Sequence, residues 1–100
     1  MILLVHVWCP PNAGKAVGLK FLESSKNKLS SSIIKWRTYF TPDGLNGLKG
    51  YHLIYTEKDN IDETLFEISK IMVPFNEIEG FKWKYEILIG VKDMAKLMAI

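Results

Sequence analysis

A single cysteine, Cys9, is all this chain offers for cross-linking, so no intrachain disulfide can form and a reducing cytoplasm is the expected compartment. Charge of one sign is lacking too. The 13 basic residues stand against 11 acidic ones, a net +2, too weak a field to argue for nucleic acid or an anionic membrane as partner. No apolar run reaches the ~20 residues that a membrane span requires. The apolar stretch Met1 to Cys9 (MILLVHVWC) lacks a basic segment and runs into Pro10 and Pro11, which reads as a strand rather than a secretory signal. Histidine is scarce: His6 and His52 are the whole supply, at no metal-ligand spacing, so no metal is expected. Gly14-Lys15 resembles a phosphate loop only superficially, since the first Gly at the required spacing and a Ser or Thr after the Lys are missing. No cofactor is therefore expected.

What is present is the composition of one globular domain covering residues 1–100, with 48% hydrophobic and 24% charged residues. Met1 to Cys9 is apolar at both parities, the pattern of a central strand buried on both faces. Its odd side is Leu3, Val5, Val7 and Cys9; its even side is Ile2, Leu4, His6 and Trp8. Asn12 is placed to cap a helix running to about Leu29, with Val17, Phe21, Leu22, Ser25 and Leu29 along one stripe. Gly14 and Gly18 are poor residues for that helix, which either approaches its sheet closely or starts later.

Ile33 to Thr41 (IIKWRTYFT) is rich in aromatic and β-branched residues and predicts a strand. Thr41 to Gly50 (TPDGLNGLKG) reads as a loop turning at Pro42-Asp43-Gly44, and Tyr51 to Glu57 as the next strand of a hairpin. Asn60 and Glu63 form a capping box for a helix carrying Ile61, Leu65, Ile68 and Met72, ended by Pro74 and Gly80. Phe81 to Ile89 alternates apolar Phe81, Trp83, Tyr85, Ile87 and Ile89 with Lys82, Lys84, Glu86 and Leu88 and predicts a half-buried edge strand; Asp93 then caps a short terminal helix.

The order β, α, β, β, α, β is the split βαβ, or ferredoxin-like, α+β plan: a four-stranded antiparallel sheet in the order 4-1-3-2 with two helices on one face. The first strand is then central. Small aliphatics at odd positions suit helix packing, which sends Leu4, His6 and Trp8 to the open face, and on the last strand Lys84, Glu86 and Leu88. The middle strands are undecided. The third presents either His52, Ile54 and Thr56 or Tyr51, Leu53 and Tyr55; the second, either Ile34, Trp36 and Thr38 or Lys35, Arg37 and Tyr39. An apolar open face of several hundred Å2 requires a cover, and a two-fold homodimer through the sheet faces supplies it, enclosing a barrel.

The run Gly50-Tyr51-His52-Leu53-Ile54-Tyr55-Thr56-Glu57, then Asp59 and a helix, then Tyr85-Glu86-Ile87 with Asp93 and Ala95, resembles the small DUF3303-type proteins of the dimeric α+β barrel superfamily. Trp36 falls where that family often carries a Trp, whereas Tyr55 lies where a Glu is usual and Ile89 near a usual Pro. The resemblance implies the dimeric barrel. The wider group holds cofactor-free monooxygenases, muconolactone isomerases, haem-binding chlorite dismutase relatives and effector-binding domains, so the fold does not choose among functions.

Three functions follow from this reading. The barrel interior binds a small apolar or aromatic metabolite through His6, Trp8, Trp36, His52, Tyr55 and Glu86; or it houses a monooxygenase- or isomerase-like enzyme with His6 or His52 as proton carrier; or it is a packed, ligand-free interaction module. Trp8, Trp36, Trp83, Tyr39, Tyr51, Tyr55 and Tyr85 serve equally as core, as dimer interface or as walls for a flat ligand. Cys9, with no second Cys or defined partner, reads as a buried structural thiol, and Lys35, Arg37, Lys82 and Lys84 as charges that guard sheet edges.

Overall fold

The computed structural model describes residues 1–26, 31–57 and 61–99. Its elements follow the expected order: β1 (Ile2–Cys9), α1 (Gly14–Ser25), β2 (Ile33–Pro42), β3 (Leu48–Thr56), α2 (Ile61–Met72), β4 (Lys82–Leu88) and a short α3 (Val91–Leu97). The sheet runs β2-β3-β1-β4, with every neighbouring pair antiparallel. This is the ferredoxin-like arrangement, with β1 and β3 inside and β4 at an edge.

β1 organises the core as its parity requires. Leu3, Val5, Val7 and Cys9 are buried beneath the helices, while Ile2, Leu4, His6 and Trp8 lie half-buried on the other face. Around the buried row gather Ile54 of β3, Val17 of α1, Ile68 and Met72 of α2, and Phe75 from a 3-10 turn at Val73–Glu77. α2 is seated firmly: Thr64, Ile68 and Met72 share one buried face, and the Thr64 and Ser32 hydroxyls hydrogen-bond at 2.9 Å. α1 sits less deeply and buries Val17 alone, with Leu22 64% exposed.

Several local expectations are corrected. Asn12 does not cap α1. Ala13 holds that position with no side-chain cap, and its N–H donates to the Pro10 carbonyl at 3.1 Å. Half of the stretch from Thr41 to Gly50 is strand rather than loop, because β1 continues to template β3 as far as the pair Cys9 and Leu48. Gly50 belongs to that extension: a Cβ there would approach Val7 Cγ2 to 2.5 Å and Phe40 Cε1 to 2.6 Å, so β3 needs Gly where two neighbours close in. The hairpin turn contracts to residues 43–47, closed by Asp43 N–H to the Gly47 carbonyl at 2.7 Å. Leu29 and Asn60, expected as helix end and cap, lie outside the described residues. Asp93 falls in the first turn of α3, whose cap position is Gly90. On β4 the aromatic parity shares the face of Val7, Val5 and Leu3 as expected, with Trp83 against the core, but Tyr85 and Ile87 stay exposed.

Candidate ligand pocket

Strand register divides the expected site residues between two faces. Directly paired residues of a sheet share a face, and His6 pairs with Tyr51 and Lys84, whereas His52 pairs with Val5 and Thr38. His6, Trp8, Tyr55 and Glu86 therefore occupy the open face; Trp36 and His52 lie on the helix side. The expectation that all six line one barrel interior is corrected on this point, and the two imidazoles do not form a pair. The undecided strands resolve the same way: β3 presents Tyr51, Leu53 and Tyr55 to the open face, and β2 presents Lys35, Arg37 and Tyr39.

On the open face His6 Nε2 lies 3.4 Å from a Glu86 carboxylate oxygen, which Lys84 Nζ also approaches at 3.2 Å. The His6 ring stacks on Trp8 at 5.7 Å and meets the edge of Tyr51 at 5.2 Å, and its Nδ1 has no partner among the described residues. Lys49 lies over both Trp8 and Tyr51, and Lys35 over Tyr55. Rows across the sheet read Lys35-Tyr55-Ile2-Leu88, Arg37-Leu53-Leu4-Glu86 and Tyr39-Tyr51-His6-Lys84. The middle of the face is apolar and aromatic, and its two margins carry most of the charge. Among the described residues no group of three or more His, Cys, Asp or Glu side chains could hold a metal ion.

The helix side holds a different site. Because α1 is shallow, a cavity of about 750 Å3 opens between it and the β2–β3 half of the sheet, within the size range of small-molecule pockets. Val17, Gly18, Phe21 and Leu22 form its α1 wall; Trp36, Thr38 and Phe40 come from β2, His52 from β3 and Ile71 from α2. Cys9 also borders it, its thiol pushed up in pKa by burial and directed to the Pro10 carbonyl at 3.6 Å. Phe21 is the hub of an aromatic wall, with Phe75 at 4.7 Å, His52 at 5.2 Å and Phe40 at 6.3 Å between ring centres.

Ser24 and Ser25 also border the cavity, and a polar cluster interrupts its lining on the sheet side. His52 is 1% exposed, and its Nδ1 accepts the Trp36 indole N–H at 3.0 Å, with the Thr38 hydroxyl at 2.8 Å. Burial pushes its pKa down from 6.5 to about 4, so the ring is neutral at physiological pH. The buried Nε2 has no partner among the described residues. Sequence reasoning found His52 and Trp36 but missed Phe21, Thr38 and Phe40 as their neighbours. The signal that existed was Gly14 and Gly18. Both border the cavity, and a Cβ at either would meet nothing within 4 Å, so these glycines mark open space rather than close helix-to-sheet packing.

The sequence matches no protein-family model, and no curated protein matches it. Among solved structures, the chain is similar to a protein from Deinococcus radiodurans provisionally assigned as an antibiotic biosynthesis monooxygenase. The TM-score is 0.54 at 6% identity, over 91% of this chain and 95% of that one. That likeness establishes the ferredoxin-like α+β fold. No helix among the described residues is long and apolar enough to cross a membrane.

Proposed function

We propose that this protein binds a small, largely apolar or aromatic molecule in the helix-side pocket and pairs with a second copy of itself through the open sheet face. The observation carrying the first part is a cavity of about 750 Å3 whose aromatic and aliphatic walls surround a polar cluster on the sheet side, buried His52 with half-buried Trp36 and exposed Thr38. Apolar walls supply affinity, and a few fixed polar groups supply orientation. The neutral fluorophore N-phenyl-1-naphthylamine tests this. Wild-type protein is expected to bind it with enhanced emission, and Gly18→Trp, which fills the cavity from α1, to weaken binding at least tenfold while the circular dichroism spectrum is retained. Equal binding by the variant would put the site elsewhere.

The second part rests on the apolar middle of the open face, Leu4, Trp8, Tyr51, Leu53 and Tyr55, bounded by charged margins in the manner of an interface core and rim. Light scattering at micromolar concentration is expected to give twice the chain mass. Leu53→Glu, a charge at the centre of that face, should shift the protein toward monomer by about 2 kcal/mol or more, roughly 30-fold in dissociation constant. A monomeric wild type would reject the dimer.

An enzyme of the cofactor-independent monooxygenase or isomerase kind is the second reading. The structural likeness to the assigned monooxygenase favours it, with His52, or His6 beside Glu86, as proton carrier. His52 is poorly suited to take a proton at neutral pH: its Nδ1 lone pair is engaged by Trp36, and burial holds its pKa near 4. Binding is therefore the preferred function for the helix-side pocket.

A further inference from the structure

The hydrogen bonds at His52 define which end of a ligand the pocket reads. An indole N–H can only donate, so the Trp36 contact at 3.0 Å commits the Nδ1 lone pair and leaves the single proton of the neutral ring on Nε2. The Thr38 hydroxyl, 2.8 Å from the same nitrogen, reinforces that tautomer by donating. Nε2–H is thus a buried donor without a partner among the described residues, on a ring that borders the cavity. A buried donor left unpaired is costly and calls for a partner, such as a bound molecule or an ordered water. The cavity is lined by no Lys, Arg, Asp or Glu among the described residues, so a charged ligand would lose its water there with no counter-charge in return.

We propose that the pocket selects uncharged, flat aromatic molecules bearing a carbonyl oxygen, which accepts the His52 Nε2–H, over the same ring systems lacking that oxygen. Phe21 is the movable part of this arrangement. Its ring lies 5.2 Å from that of His52 and lines the same cavity, and it must yield for the oxygen to reach the buried Nε2. The inference rests on the pocket reading above and adds to it the chemistry of the ligand's polar end.

The matched pair 9-fluorenone and fluorene tests it, since the two share one planar three-ring skeleton and differ in a carbonyl against a methylene. Each is titrated against bound N-phenyl-1-naphthylamine. A purely apolar pocket prefers fluorene, the less water-soluble of the two; the structure requires fluorenone to bind about tenfold more tightly. In His52→Leu that preference should fall below twofold, whereas His52→Gln, whose amide retains a donor, should recover part of it. Persistence of the full preference in His52→Leu would overturn the assignment to His52. Because either variant can fail to fold, the wild-type ring is also followed by 15N NMR: fluorenone, and not fluorene, should move the His52 Nε2 resonance. Equal affinity of the two compounds for wild type overturns this inference and leaves the pocket standing. Displacement of the fluorophore by neither compound overturns this inference, whereas failure of the fluorophore itself to bind overturns the pocket reading with it.

Discussion

Acidification from pH 6.5 to 4 is expected to remove about 3 kcal/mol of stability through His52 alone. In the unfolded chain the imidazole takes a proton with a pKa of 6.5; in the fold, desolvation by burial lowers that to about 4. Between the two values the unfolded state binds more protons, so stability falls as pH falls. The loss begins as pH drops through 6.5 and is complete below about 4. A tenfold change in proton affinity is worth about 1.4 kcal/mol, which sets the whole effect near 3 kcal/mol. The hydrogen bond to Trp36 gives the same sign, because a proton on Nδ1 would turn its acceptor into a second donor facing the indole N–H. Urea denaturation of wild type and His52→Gln at a series of pH values measures this. The stability difference between them should change by about 3 kcal/mol across that window in favour of the variant at low pH; parallel profiles would show that His52 is not buried neutral.

The second large effect separates glycines that look alike in the sequence. Gly47→Ala should cost about 3 kcal/mol or more, while Gly18→Ala should gain up to ~1 kcal/mol. Gly47 has φ +94°, a conformation that strains any L side chain, and a Cβ there would run into the backbone of Cys9, Pro10 and Pro11. No flexible side chain can yield at that contact, because the obstacles are a carbonyl and two ring-constrained residues where β1 ends. Gly18 lies in regular helix with its Cβ direction open, so Ala there removes only unfolded-state freedom. Chemical denaturation ranks the two variants. A neutral Gly47→Ala would contradict the close packing of the hairpin turn against the end of β1.

The pocket and the open face depend on these features in different ways. Gly18 leaves the cavity wide, and larger residues placed there test occupancy without disturbing the core. Gly50 lets Phe40 and Val7 close over β3 beside the His52 row, so the aromatic wall has a firm base. The open face relies on neither and is judged by oligomeric state.

Much of the fold was legible because certain segments carry one unambiguous period. β4 alternates apolar and charged residues, and the smooth odd side of β1 differs in kind from its even side, so both could be oriented from sequence. The order of elements matches the split βαβ plan, whose sheet order is the one observed. β2 and β3 offered no such choice, since each mixes aromatic, β-branched and polar residues at both parities. Their orientation is set by pairing with β1, a long-range constraint that no local window contains. A single register decision put His52 under the helices and His6 in the open, and separated two residues that sequence alone had placed together.

The set of elements, their order, and the faces of the first and last strands were settled within the amino-acid sequence, because burial of apolar periodicity is a local property of each segment. Where the cavity lies and how His52 is protonated were settled only by tertiary packing. The cavity depends on how far α1 stands from the sheet. The tautomer depends on Trp36 and Thr38 arriving from the neighbouring strand at hydrogen-bond distance. Both are distances between segments remote in the chain, set by the packing of the whole core.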